Sequence, residues 1–149
     1  MSVVDTDWNI RKAEMSDLYE VKKLADSHKK ELGFVLQPVL ARSISQEQLF
    51  VAVNGESVIG FIQYHHRRDS QTTLHNIVVE SNYRKLGIGQ ELTRKLETEA
   101  RCKQQDFILL KCPVDLSANS FYKCIGYEKV GVQQGKARQL NIWRKGLGS

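Results

Sequence analysis

The stretch from Leu74 to Ala100 constrains the fold most, because it predicts a strand, a basic glycine-containing turn and a helix in succession. Leu74 to Val79 is an apolar run typical of a strand, and Arg84-Lys85-Leu86-Gly87-Ile88-Gly89 follows it. Apolar residues then recur at helical spacing, at Ile88, Leu92, Leu96 and Ala100. Free backbone N–H groups and the dipole of such a helix form an anion site, which glycines let a phosphate approach closely. The segment therefore predicts a ligand that carries phosphate.

A second apolar run extends this unit into a parallel crossover. Phe107 to Leu110 is continuously apolar, as in strands that are buried on both faces. A strand, a helix and a strand in that order predict a right-handed parallel connection.

The remaining patterns predict a mixed α+β domain with the element order β-α-α-β-β-β-α-β-α-β-β. A strand at Trp8 to Arg11 precedes a helix that begins at Ser16 and stops at Gly33, and a shorter helix lies between Pro38 and Gln48. Leu49 to Val53 and Val58 to Tyr64 are strands joined by a type I′ turn at Asn54-Gly55. Near the end we expect a helix from Ala118 to Gly126 and strands at Tyr127 to Val132 and Arg138 to Trp143.

Composition narrows the class of protein. A chain of 149 residues suits one domain, which we expect to span residues 1–149. It has no apolar run near the roughly 20 residues that span a bilayer, and its start lacks the layout of a signal peptide. Three widely spaced cysteines predict neither a metal site nor a disulfide framework, which favours a reducing, cytoplasmic setting. The net charge of +5 is compatible with an anionic ligand or with nucleic acid.

Two common phosphate-binding motifs do not fit the turn. A Walker A loop needs a Lys-Ser/Thr pair after its last glycine, and Gln90-Glu91 stands there. A dinucleotide fingerprint needs a small residue where Leu92 stands and an acidic residue after the next strand, where Lys111 and Cys112 stand.

Two motifs together resemble those of the GNAT N-acetyltransferases. Val79 followed by Arg84-x-x-Gly87-x-Gly89 is similar to the acyl-CoA motif of that family, and Ala118 to Tyr127 is similar to its second signature, Ala-x-x-Phe-Tyr-x-x-x-Gly-Phe/Tyr. The element order agrees from about Trp8 to Arg144. The resemblance implies a central, mostly antiparallel sheet with a parallel β4–β5 pair splayed for acyl-CoA and helices on both faces.

The resemblance also implies where acetyl-CoA binds. Backbone N–H groups from Leu86 to Gln90 would hold the pyrophosphate, with positive charge from Arg84 and Lys85, and the pantetheine arm would pair along the fourth strand. Asn119 would bond the coenzyme A arm or cap its own helix. The implied coenzyme-binding residues are Ile77, Val79, Arg84, Lys85, Leu86, Gly87, Ile88, Gly89, Gln90, Asn119 and Tyr122. Asp115 stands where the family often has asparagine, which removes one coenzyme A contact.

The implied reaction is direct transfer of the acetyl group to an amine, with no metal. Tyr122 matches the tyrosine that lies near the acyl sulfur in the family, and it would protonate the leaving thiolate. The alternative is that Tyr122 only packs beside Phe121 and Ile125. Thr73 stands where some relatives place a carboxylate. His75, two residues along the same strand face, is the candidate general base. The alternative is that His75 is structural and that Glu31 or a chain of water molecules accepts the proton.

The resemblance implies that the acceptor is a primary amine of a small molecule or a protein. Its site would involve side chains from the first helices and the last hairpin, with Phe34, Leu36, Tyr64, His65 and Gln133 as candidates. The alternative is the same fold acting as an acyl-CoA sensor or a nucleic-acid-associated module, although the chain lacks the interleaved aromatic and basic pattern of an RNA reader. The basic run from His65 to Arg68 is a solvated turn or an element that favours an acidic acceptor. Dimers are common among similar proteins, so a homodimer is one option.

Overall fold

A computed structural model describes residues 7–148, and within that range it contains seven strands and five α-helices. The strands are β1 (Asn9–Lys12), β2 (Leu49–Asn54), β3 (Ser57–His66), β4 (Gln71–Val79), β5 (Phe107–Pro113), β6 (Glu128–Gln134) and β7 (Gln139–Gly146). The helices are α1 (Leu18–Asp26), α2 (Lys29–Leu32), α3 (Gln37–Ser45), α4 (Ile88–Cys102) and α5 (Ala118–Cys124).

The strands are hydrogen-bonded in the order β1-β2-β3-β4-β5-β7-β6. The β1–β2, β2–β3, β5–β7 and β6–β7 pairs are antiparallel, whereas β4 and β5 are parallel. The parallel register covers only three residue pairs, from Gln71↔Phe107 to Thr73↔Leu109, although both strands continue further. This mixed sheet with helices around it confirms the predicted fold class.

The chain divides into two compact units, and the first contains the described residues up to His65 together with Asn76–Leu96. Its core forms where the apolar stripes of α1 and α3 pack on β2 and β3. The helices contribute Val21, Leu24, Ala25, Leu40 and Ile44, and the strands contribute Leu49, Val51, Val53, Val58, Phe61 and Val78. This core includes Val78, next to the last residue of β4.

The second unit contains His66–His75 and the described residues from Glu97 onward. In its sheet β5 pairs with β7 over seven residue pairs, and β7 also pairs with β6. Its buried side chains include Ile108, Leu110, Cys112, Tyr122, Tyr127 and Trp143. Burial of these large apolar groups holds the short helix α5 in place.

The predicted helix from Ser16 to Gly33 is wrong as a single element. A 3₁₀ turn over Met15–Asp17 leads into α1, and the helix breaks at Ser27-His28 before α2. The carbonyl of Leu24 accepts from Ser27 Oγ at 2.8 Å and lies 3.0 Å from His28 Nδ1. These side chains compete with backbone donors for the carbonyl, which explains the break.

The predicted type I′ turn at Asn54-Gly55 is also wrong. Asn54 pairs with Ser57, so the two free residues are Gly55 and Glu56. Gly55 has φ of 60°, and glycine at the first central position is typical of a type II′ turn. A register shift at Ala52/Val53 changes the pairing, and the amide of Asn54 donates to Tyr83 Oη at 3.3 Å.

Candidate active site

The glycine turn before α4 has an unusual backbone. Lys85 has φ of 67° and Gly87 has φ of 84°, with Leu86 between them. Positive φ values at two of three successive residues are typical of turns whose N–H groups form an anion-binding nest. Lysine rarely adopts a positive φ, so strain is concentrated at this turn.

The N–H groups of this turn have no acceptor within residues 7–148. None of the backbone N–H groups from Leu86 to Gln90 donates a hydrogen bond there, and Glu91 is the first to do so, to the carbonyl of Gly87 at 3.0 Å. A Cβ added at Gly87 would meet no atom within 4 Å. The turn therefore presents unpaired donors and open space, which is what a phosphate group needs.

Arg84 and Lys85 add positive charge to the same turn. Arg84 Nε donates to the carbonyl of Val79 at 3.2 Å, which folds its side chain back towards the end of β4. The guanidinium also lies 3.5 Å from Glu31 Oε1, and both side chains are about half exposed. A long, solvated ion pair of this kind is weak, so a ligand phosphate can compete for Arg84.

The end of β4 carries the predicted strand contacts of the site. Leu74 and Val78 are buried, so by alternation His75, Ile77 and Val79 share the opposite face. His75 is exposed, while Ile77 and Val79 are partly exposed. The roles of these three residues stay predictions.

Tyr122 is buried in the second unit, with only 6% of its surface exposed. Its ring contacts those of Phe121, Tyr127 and Trp143 at centroid distances of 5.6, 6.0 and 6.4 Å. Burial, with a smaller contribution from the Cys112 thiol, raises the pKa of Tyr122 well above its ordinary value. Burial therefore favours the neutral phenol over the phenolate.

Asn119 is fully bonded within the protein. Its Nδ2 donates to the carbonyls of Pro113 at 2.9 Å and Leu116 at 2.8 Å. Its Oδ1 accepts from Asn141 Nδ2 at 3.0 Å and from Trp143 Nε1 at 2.9 Å. A carboxamide has two donor hydrogens and two acceptor lone pairs, so all four are used. This pattern favours the local structural role over the coenzyme contact.

Sequence reasoning did not identify Asn141 or Trp143 as partners of this helix. Both lie on β7, two residues apart, so they share one strand face. That alternation is visible in the sequence, but their contact with Asn119 spans 22 and 24 residues and no local pattern reveals it.

The predicted basic turn is partly built into the sheet. β3 extends to His66, whose Nδ1 lies 2.8 Å from Thr72 Oγ1 and whose Nε2 lies 2.9 Å from Glu99 Oε2. His66 is thus a structural residue rather than part of a solvated turn. The turn itself is limited to Arg67 to Ser70.

Two classes of feature are missing from residues 7–148. No group of three or more His, Cys, Asp or Glu side chains is arranged there to hold a metal ion. None of the helices in that range is both long and apolar enough to cross a membrane.

The strand order, the short parallel pair and the open turn before α4 define the class: an α+β domain with an acetyltransferase fold. Residues 10–127 match the family model described as the acetyltransferase (GNAT) family, and the chain belongs to that family. The resemblance found in the motifs is thereby confirmed. No curated protein matches the chain significantly.

Solved structures share this fold at low sequence identity. Ard1 from Thermoplasma volcanium has a TM-score of 0.85 at 18% identity, covering 95% of this chain and 99% of that one. The ribosomal-protein-S18-alanine N-acetyltransferase from Escherichia coli has a TM-score of 0.80 at 16% identity, with 96% of each chain covered. The PaiA N-acetyltransferase from Thermoplasma acidophilum, in complex with coenzyme A, has a TM-score of 0.79 at 20% identity, covering 94% and 99%.

Proposed function

We propose that this protein is an acetyl-CoA-dependent N-acetyltransferase that transfers the acetyl group directly to a primary amine of a small molecule or a protein. The observation that carries the proposal is the run of unpaired N–H groups from Leu86 to Gln90 at the start of α4. Membership of an acetyltransferase family supports acetyl transfer in general, and the amine acceptor is the proposed part. The proposal treats residues 1–149 as one catalytic domain working in the cytoplasm.

The donor is held mainly by the backbone. The pyrophosphate of coenzyme A accepts hydrogen bonds from the N–H groups of the turn, and the positive φ of Gly87 directs them to one side. Arg84 and Lys85 supply charge that also speeds the encounter with an anionic ligand. The pantetheine amides pair with the β4 backbone at Ile77 and Val79, whose N–H groups are the candidate oxyanion donors.

The chemical step moves one acetyl group and one proton. The neutral amine nitrogen attacks the thioester carbonyl carbon, the C–S bond breaks, and the nitrogen loses a proton. Tyr122 is proposed to protonate the departing thiolate, since burial keeps the proton on its phenol until the thiolate forms. His75 is proposed to accept the amine proton directly or through water, with Glu31 as the alternative base. Solvent then takes the proton from the base and returns one to the Tyr122 phenolate, so the net transfer is one proton from the amine to the thiolate. No step in this scheme requires a metal.

The acceptor class is the least determined part of the proposal. Phe34 and Leu36 in the segment between α2 and α3 are 84% and 62% exposed, so they are available to an acceptor with an apolar portion. Structures of this fold include enzymes whose names specify a ribosomal-protein alanine and an aminoglycoside 6′-amine. An acceptor panel should therefore contain peptides with free N-termini, polyamines and aminoglycosides.

The test is acetylation of this panel, measured as coenzyme A release and as a mass gain of the acceptor. Cys102 and Cys124 are exposed and would react with a thiol reagent, so the assay needs the Cys102→Ser/Cys124→Ser variant or detection by mass. We expect turnover with at least one amine and a lower kcat for Tyr122→Phe.

Two results would favour other functions. Acetyl-CoA binding without turnover on any amine, and with no effect of Tyr122→Phe, would indicate an acyl-CoA sensor. Binding of RNA that weakens steeply between low and high salt would indicate a nucleic-acid-associated module. Size-exclusion chromatography with light scattering tests the homodimer.

A further inference from the structure

The carboxamide of Asn119 lies at a junction of three elements in the second unit. Its Nδ2 donates to the carbonyl of Pro113, the last residue of β5, and to that of Leu116 in the loop before α5. Its Oδ1 accepts from two side chains of β7. The orientation of the amide is fixed by chemistry, because the indole N–H of Trp143 can only donate and the two carbonyls can only accept. Asn119 therefore joins the loop, α5 and β7 through one group.

Helix α5 needs such a tie. It has seven residues, and its N-cap Ser117 makes no side-chain capping bond. Helices this short are unstable alone, so tertiary contacts decide how α5 is oriented. Asn119 lies one turn before Tyr122, at i and i+3, so both side chains occupy one face of the helix.

That helix face meets one face of β7. Asn119 bonds both Asn141 and Trp143, while the ring of Tyr122 contacts that of Trp143 at 6.4 Å with an interplanar angle of 43°. Trp143 is 5% exposed, so its indole is held by packing as well as by its hydrogen bond. The Trp143 indole therefore links the Asn119 amide to the Tyr122 ring.

We propose that Asn119 is a positioning residue: through its hydrogen bond to Trp143 and its tie to the β5–α5 loop, it fixes the Tyr122 ring in the orientation that proton donation requires. This inference rests on the proposed function, because it assigns to Asn119 the support of the residue that protonates the thiolate. It differs from a direct coenzyme contact, for which the carboxamide has no bonding capacity left.

The test is a double-mutant cycle of Asn119→Ala and Tyr122→Phe, with kcat and the Kd for coenzyme A measured per folded molecule. Tyr122→Phe should lower kcat by about 100-fold, in the range of general acid catalysis. Asn119→Ala should lower kcat by about 10-fold with an unchanged Kd, and the double variant should match Tyr122→Phe alone within about 3-fold, because coupled residues are not additive. Trp143→Phe keeps a ring but removes the donor, and should reproduce most of the Asn119→Ala loss.

Ser120→Ala is the matched control, since Ser120 is the exposed next residue of the same helix. Additive losses together with a weaker Kd would overturn the inference in favour of a direct coenzyme contact. A lower Tm with unchanged kcat would overturn it in favour of a purely structural role.

A readout without turnover separates this inference from the proposed function. The chain has two tryptophans, so its NMR spectrum contains two indole N–H signals. Asn119→Ala should shift the Trp143 indole signal and the Tyr122 ring signals, and Ser120→Ala should not. If no amine is acetylated but these shifts occur, the tie between Asn119 and Tyr122 stands and the proposed function fails. If the shifts are absent, the inference fails whatever the activity.

Discussion

The positive φ of Gly87 gives the sharpest prediction about donor binding. Alanine at φ of 84° costs about 1–2 kcal/mol, because its Cβ crowds the following carbonyl in the left-handed region. No neighbouring atom lies within 4 Å of the new Cβ, so Gly87→Ala changes the backbone and not the packing. The chain relieves this strain by rotating the peptides on either side, which moves the N–H groups of Gly87 and Ile88.

The expected loss follows from the hydrogen bonds that this rotation removes. A hydrogen bond to a charged group contributes about 1.5–3 kcal/mol, and 1.4 kcal/mol corresponds to a tenfold change in Kd. Losing one such bond to the pyrophosphate should therefore weaken coenzyme A binding by about 10- to 100-fold. Isothermal titration calorimetry measures this Kd, and thermal unfolding should show a Tm lowered by about 2–8 °C.

Gly55→Ala is the matched control. Gly55 has φ of 60° in the β2–β3 hairpin, and an added Cβ there also meets nothing within 4 Å. It should lower the Tm by a similar amount and leave the Kd unchanged. The reasoning is refuted if Gly87→Ala lowers the Tm but binds coenzyme A as tightly as the wild type, or if both variants lose affinity equally.

Three further predictions concern charge and protonation. Arg84→Ala should weaken coenzyme A binding several-fold at low salt and less at high salt, which titrations at two ionic strengths would measure. The control Arg94→Ala, on the exposed side of α4, should leave the Kd unchanged at both. Hydrogen bonding to Arg11 holds the pKa of Asp17 below its ordinary value. The free energy of unfolding, measured in urea, should therefore fall as the pH drops below about 4, and Asp17→Asn should remove that fall. Burial raises the pKa of Cys112 to about 11, so a thiol reagent at pH 8 should titrate Cys102 and Cys124 rapidly and Cys112 only after unfolding.

The elements that local sequence determines could be predicted well. The strand, turn and helix from Leu74 to Ala100 were predictable because apolar spacing and glycine act over a few residues. The structure starts β4 three residues earlier, at Gln71, where polar side chains hide the strand. The break at Ser27-His28 was not predicted, because the apolar spacing continues through it while two polar side chains take a helix carbonyl.

Long-range contacts account for what the sequence could not provide. Burial among three aromatic rings sets the pKa direction of Tyr122, and only folding brings Tyr127 and Trp143 to it. The role of Asn119 was open between a coenzyme contact and a local cap, and its hydrogen bonds could be identified only in three dimensions. The roles of His75 and of the acceptor-side residues stay predictions.

The central claim is that coenzyme A binds with its pyrophosphate on the turn before α4. Backbone amide NMR during a titration with coenzyme A tests it most directly, with pantetheine, which lacks the pyrophosphate, as the comparison ligand. We predict that the amide signals of Leu86 to Gln90 shift strongly with coenzyme A and stay in place with pantetheine. Saturable binding of coenzyme A that leaves these five signals unmoved would contradict the account.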